Sequence, residues 1–197
     1  MKIRELNKIN RLYFGYEDVA RALNIGMDSA RVAVSRYVQA GILLRLKRNI
    51  YILRERWNYL DRAEQFILAN IGQVPSYISL MTALDHYGIS TQMQRDIIES
   101  VSVKRTREIV VENTAFRYTK IRSDLYFAYE KKAGYFIATP EKAFLDAVYL
   151  VSLGRYAMDR DAIDIGRLDA GKIAEMCRNY PPKMKKMMEN HGYFTTT

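Results

Sequence analysis

Cysteine, histidine and proline are nearly missing from this chain. One cysteine, Cys177, excludes an internal disulfide framework and suits a reducing compartment. The two histidines, His86 and His191, stand at no metal-ligand spacing from that thiol, so no metal site is expected. No apolar run approaches the ~20 residues needed to span a bilayer. The opening MKIRELNKIN lacks the apolar core of a signal peptide. These absences predict a cytoplasmic protein without membrane attachment. Phosphate-cradling glycine loops are missing too, since neither GxxxxGK[ST] nor GxGxxG occurs. Ser76 and Ser79 have no base partner nearby in sequence. Glu141 and Asp146 are five apart on one expected helix, so they diverge rather than pair as acid and base. Glu141 reads instead as a first-turn carboxylate favoured by the helix dipole. No catalytic residue and no cofactor are expected.

What is present is apolar material and positive charge. Of 197 residues, 49% are hydrophobic, enough for a sizeable core in one large domain or two small ones. The net charge of +9 is uneven. Residues 1–56 hold 12 Lys and Arg against 5 Asp and Glu, a net of +7, and the remainder holds 19 against 17, a net of +2. A basic N-terminal module on a nearly balanced body is the electrostatic footprint of a nucleic-acid reader.

Residues 27–53, MDSARVAVSRYVQAGILLRLKRNIYIL, carry the reading of that module. Ala30, Ala33, Val34, Tyr37 and Val38 recur at helical spacing and predict one buried face. Ser29, Arg31, Val32, Ser35, Arg36 and Gln39 fall on the other, with groups suited to base edges and phosphates in a major groove. Asp28 or Ser29 would cap this helix, and Gly41 would end it in a left-handed turn. Leu44 and Leu46 then alternate with Arg45, and Ile50 and Ile52 with Tyr51, a hairpin pattern. Its tip is Lys47-Arg48-Asn49, where Asn tolerates the positive φ of a tight turn. Upstream lie an expected helix over residues 1–13, a second over Tyr16–Leu23, and a turn at Asn24-Ile25-Gly26. Helix, helix, turn, helix and hairpin in that order predict a winged helix-turn-helix over residues 1–56. Its expected DNA contacts are Ser29, Arg31, Val32, Ser35, Arg36, Arg45, Lys47, Arg48 and Asn49.

Residues 57–197 predict a mixed domain, so the fold class is α+β. Trp57 is expected to plug the junction between modules. A helix over 61–71 and another over 80–87, with Ser79 as its cap, precede a change of period at Ile97. Five short strands are expected at 97–103, 107–112, 116–121, 125–129 and 135–138, with turns at 104–106 and 131–134. Connections this short predict a small antiparallel sheet. Thr139 as cap, Pro140 at the first helical position and Glu141 behind it open a long apolar helix. Asp169 would cap another, Pro181 would open the last, and Thr195–Thr197 would fray. A second set of cations, Lys104, Arg105, Arg107, Arg117, Lys120 and Arg122 on the sheet with Lys183, Lys185 and Lys186 on the last helix, is either a solvated face or an auxiliary phosphate, RNA or protein contact.

Two segments carry a resemblance. Pro75-Ser76-Tyr77-Ile78-Ser79-Leu80, followed by Ala83-Leu84 and Tyr87-Gly88, resembles the opening of the AbiEi antitoxin core. Ala138-Thr139-Pro140-Glu141-Lys142-Ala143, with Leu145-Asp146 and Tyr149-Leu150, resembles its later signature. Gly-Ile-Leu before a basic hairpin that ends in Tyr51-Ile52-Leu53 is similar to that family's N-terminal domain. One departure is Asn49, at a hairpin tip where an Arg-Gly turn is common. The resemblance implies a transcriptional repressor and antitoxin of type IV toxin–antitoxin, or abortive-infection, systems. Its N-terminal domain would bind double-stranded operator DNA of its own operon. Its C-terminal domain would support protection against a nucleotidyltransferase-like toxin, with no stable complex required. Two other functions fit the same residues: a winged-helix module that docks protein rather than DNA, and a metal-dependent nuclease built on scattered carboxylates.

Overall fold

In the computed structural model, which describes residues 3–190, the first hairpin buries both of its faces. His191 and the expected fraying of Thr195–Thr197 lie outside these residues. Strands β1 (Leu43–Lys47) and β2 (Ile50–Leu53) pair antiparallel, Leu43 opposite Leu53 and Leu44 opposite Ile52. Because side chains alternate across a strand, Leu43 and Tyr51 join an N-terminal apolar cluster while Leu44, Leu46 and Ile52 join a larger one behind it. Each of these buried aliphatics contributes roughly 1.5–3 kcal/mol. The hairpin is therefore a wall shared by two cores.

The N-terminal cluster is closed by α1 (Ile3–Leu6), α2 (Tyr16–Leu23) and α3 (Met27–Gln39). The helix expected over residues 1–13 stops at Leu6, and the chain passes through turns and bends until Phe14 forms a β-bridge with Tyr51. The period-three pattern there marks core contacts of a turning segment, with Leu6 and Ile9 on the N-terminal cluster and Leu12 on the larger one, rather than a longer helix. Asn24, at φ 53, ends α2 in the left-handed region, which Asn tolerates. Gly26, not Asp28 or Ser29, is the N-cap of α3, without a side-chain bond. Ala30, Val34 and Tyr37 are buried as the spacing predicts, and Arg31, Val32, Ser35, Arg36 and Gln39 are exposed.

The larger cluster is built around a six-stranded sheet of order β5-β6-β4-β3-β8-β7. Its strands are β3 (Tyr77–Ile78), β4 (Ile97–Ser102), β5 (Arg107–Val111), β6 (Thr114–Lys120), β7 (Tyr129–Lys132) and β8 (Tyr135–Ala138). It is mixed, not purely antiparallel: β4 runs parallel to β6, and β3 parallel to β8. The expectation failed because a strand can serve as the crossover. β5 lies outside β6, so β6 returns between its two predecessors. The strand expected at 125–129 does not form: Ser123–Leu125 is a 3-10 turn and β7 begins only at Tyr129. The β7–β8 turn narrows to Ala133 and Gly134, both with positive φ.

Helices cover this sheet. A short α4 (Arg54–Trp57) leads into α5 (Arg62–Gly72), which opens on a reciprocal cap between Asp61 and Glu64. Trp57 meets Phe116 edge-on at 6.2 Å, packed against the larger core. After α6 (Leu80–His86) comes α7 (Pro140–Ser152), capped by Thr139 as expected and buried at every residue from Glu141 to Leu150. The last two helices are α8 (Ala170–Cys177), capped by Asp169, and α9 (Pro182–Asn190). Among the described residues the fold is α+β, with a two-stranded antiparallel sheet and a larger mixed one. No helix among them is long and apolar enough to cross a membrane.

Candidate nucleic-acid interface

Tyr16 ties the exposed face of α3 to the hairpin. Gly15 has no side chain with which to cap α2, so the first backbone N–H groups find acceptors elsewhere. Gly15 N–H donates to Asp18 Oδ2 at 3.1 Å, and Tyr16 N–H donates to Asn49 Oδ1 at 2.7 Å across the chain. Asn49 holds φ 59, the left-handed conformation its position in the tip predicts. Its carboxamide thus fixes the tip to α2. The Tyr51 hydroxyl donates to the Tyr16 hydroxyl at 3.0 Å, and the Arg31 guanidinium lies 6.0 Å from the Tyr16 ring centroid. Burial, then the Tyr16 hydroxyl, pushes the Tyr51 phenol up to about 12 while Arg45 pulls it back. Arg31, Arg45 and Asn49 are thereby gathered around one tyrosine pair.

Not every cation of the tip joins them. A β-bulge between Arg45 and Lys47 breaks the alternation, and a bulge re-aims the residue it displaces. Leu46 and Lys47 both turn toward the larger core, where the Lys47 ammonium donates to the Ile71 carbonyl at 2.5 Å. Burial, then Arg107 and Lys104, draws the Lys47 pKa below its ordinary value. Ser29, Arg36, Arg45 and Arg48 are exposed, and no ion pair among the described residues holds Arg36, Arg45 or Arg48. Arg31 is paired to the exposed Asp28 at 3.0 Å, a contact of little energy.

The second set of cations does not form one face. Lys104 and Arg107 stand near Lys47, with exposed Arg105 between them in sequence. Arg117 is paired with Glu108, and Arg122 with Asp124. Lys120 is exposed, and its backbone N–H donates to Thr106. On α9, Lys183 and Lys186 are exposed while Lys185 donates to the Arg178 carbonyl.

A constellation that sequence reasoning missed lies in the interior. Lys142 and Asp146, both 0% exposed, form an i,i+4 ion pair on α7. The Asp146 carboxylate also accepts hydrogen bonds from the Tyr77 hydroxyl at 2.9 Å, the Ser79 hydroxyl at 2.8 Å and the Tyr180 hydroxyl at 3.3 Å. Ser79 occupies the N-cap position of α6, but its side chain serves Asp146 rather than the helix. Lys142 reaches the Tyr180 oxygen at 2.8 Å and lies 4.9 Å from the Phe127 ring centroid. Burial, then Asp146, holds Tyr77 and Tyr180 well above the ordinary phenol range, so both stay protonated donors. Burial lowers Lys142, against the pull of Asp146. Both charges are sealed from solvent. The sequence signal was opposite charges four apart inside an apolar helix. Among the described residues, no group of His, Cys, Asp and Glu is placed to hold a metal ion.

No family model matches the chain, and no curated protein matches it in sequence. Among solved structures, the fold is similar to the crystal structure of the RV2827C protein from Mycobacterium tuberculosis. That likeness has a TM-score of 0.59 at 10% identity and covers 97% of this chain and 76% of the other. At such identity it is a likeness of fold alone.

Proposed function

We propose that this chain is a sequence-specific duplex-DNA-binding repressor, with α2, α3 and the first hairpin acting as a winged helix-turn-helix. The observation that carries the reading is the α3 surface: Arg31, Val32, Ser35, Arg36 and Gln39 are all exposed on one helix, while Asn49 and Tyr16 fasten the hairpin tip beside it. Such a helix lies in a major groove with Arg31, Ser35 and Arg36 toward base edges. Arg45 and Arg48 then meet phosphates or a minor groove. The net of +7 in residues 1–56 supplies the nonspecific attraction.

The resemblance to AbiEi antitoxins extends the reading to a cytoplasmic, non-enzymatic autorepressor and antitoxin of a type IV system, acting against a nucleotidyltransferase-like toxin. Tyr77, Ser79, Lys142 and Asp146, which belong to the two segments of resemblance, meet in the buried network. A shared interior scaffold accounts for their presence without any catalytic role.

Fluorescence anisotropy against the duplex upstream of its own gene, and a shuffled duplex of equal length, tests the proposal. Preference for the upstream duplex, reduced by Arg36→Ala, is expected. Equal affinity for both, or no binding at low salt, overturns it. The antitoxin half is tested by sequencing the adjoining genes and co-expressing this chain with any nucleotidyltransferase-like product they encode; absence of such a gene, or growth arrest that this chain does not relieve, overturns that half alone.

A further inference from the structure

A groove of about 370 Å³ opens between the N-terminal segment, α5 and the β7–β8 edge, lined by Tyr13, Ile71, Val74, Tyr126, Tyr129 and Phe136. It is not a closed core. Val74 is 54% exposed, Phe136 39% and Tyr129 37%. The Tyr129 ring is stacked against the fully buried Tyr77 ring, at 4.8 Å between centroids and 15° between planes. Tyr77 is itself anchored through its hydroxyl to Asp146. Tyr126 braces both rings, at 4.9 and 5.0 Å, and Phe136 stands at 82° to Tyr129. Tyr129 is thus a ring immobilised from behind that borders an open slot.

On the face of the β7–β8 pair that borders the slot, the charge is positive. Lys131 is two residues from Tyr129 on β7 and pairs in register with Phe136, so all three share a face of the strand pair. Lys131 is exposed and joins no ion pair among the described residues, whereas Glu130 points to the other face and is held by Lys132 at 2.7 Å. On the opposite wall, the Ile71 carbonyl accepts a hydrogen bond from the Lys47 ammonium. An apolar slot beside an exposed cation matches a ligand made of planar rings on a polyanionic backbone. Stacking on an immobilised aromatic combined with a cationic track is how single-stranded nucleic acid is held without sequence preference.

We propose that this groove binds an unpaired nucleobase of a single-stranded nucleic acid. The base stacks on Tyr129, and Lys131 holds a neighbouring phosphate. The site is separate from the exposed face of α3 and does not depend on the duplex reading.

The test uses the full chain and labelled oligothymidine of about twelve nucleotides, compared with an abasic strand of equal length and charge at low salt. Oligothymidine is expected to bind about fivefold or more tighter than the abasic strand. Tyr129→Ala should erase that preference, and Tyr129→Phe, which keeps the ring, should retain it. Lys131→Ala should weaken both strands alike. Arg36→Ala should lower duplex affinity and leave the preference untouched, so the two proposals fail separately. Equal binding of the two strands overturns the inference, as does unchanged preference in a Tyr129→Ala protein with an intact thermal transition. Absence of any strand binding also overturns it and leaves the groove to an apolar peptide.

Discussion

Lys47 lies on the first hairpin, yet its ammonium is seated 2.5 Å from the carbonyl oxygen of Ile71, at the end of α5. The last carbonyls of a helix carry partial negative charge and lack intrahelical donors. The last turn of α5 has no basic residue of its own. The hairpin therefore supplies the cation that this helix end lacks, and a residue that reads as a phosphate contact in the sequence joins the two cores instead.

Replacing Lys47 with Met should therefore cost stability rather than DNA affinity. The expected loss is about 1–2 kcal/mol, a charge-assisted hydrogen bond offset in part by relief of its desolvation. Arg48→Ala should do the reverse, leaving the thermal midpoint near wild type, weakening binding to all duplexes alike and flattening the salt dependence. Urea melts and salt titrations of both variants make the comparison. A Lys47→Met protein that is fully stable yet fails to bind duplex would return Lys47 to the proposed DNA surface.

Gly72 is a close-approach glycine. A Cβ at this position would lie 2.1 Å from the Tyr118 hydroxyl oxygen, which donates at 2.6 Å to the Ala69 carbonyl. Neither group is free to retreat, because Tyr118 is 1% exposed between α5 and the sheet. Gly72→Ala should destabilise by about 1–3 kcal/mol, the usual cost of overpacking. Tyr118→Phe removes the obstructing oxygen, so the double variant should be more stable than the sum of the single losses implies. Strict additivity in denaturant melts would show that the clash is relieved in some other way.

How much of this was written in the sequence differs by element. The buried and exposed faces of α3 were legible because helical period alone sorts Ala30, Val34 and Tyr37 from Arg31, Ser35 and Arg36. Thr139 and Asp169 were legible as caps because capping is local. The direction of Lys47 was not, since one bulged residue reverses a strand's facing without any mark in its composition. Parallel pairing of β4 with β6 was hidden because β5 acts as the crossover where a helix is usual. The aromatic groove was hidden for the same reason: Tyr13, Tyr126 and Phe136 meet only through tertiary structure.

His86 gives the fold an acid-side weakness. Its ring packs against Phe66, Tyr87 and Tyr135, and burial lowers its pKa below the ordinary 6.5. Lys132 and Arg62 add to the lowering and Asp85 opposes it. The unfolded chain therefore takes up this proton first. The stability involved is fully present above 6.5 and is lost as pH falls through that value toward the folded pKa. Thermal midpoints measured from about pH 8 to about pH 5 should fall less steeply for His86→Gln than for the wild type. Parallel curves would show that His86 titrates alike in both states.

The Lys142–Asp146 pair leads to the sharpest stability prediction, because its members are worth more together than apart. Removing one partner of a buried pair leaves the other charge uncompensated, at about 3–5 kcal/mol, whereas removing both charges at once is often nearly neutral. Lys142→Met strands the Asp146 carboxylate among three hydroxyl donors with no cation to balance it. Adding Asp146→Asn removes that charge yet keeps a carbonyl oxygen for Tyr77 and Ser79. The double variant should therefore recover most of the stability lost by Lys142→Met. It should also retain the Tyr129 platform, since Tyr77 still has its acceptor. Denaturant melts of the two proteins decide the matter; a double variant less stable than Lys142→Met would mean that the carboxylate stabilises the fold even without its lysine.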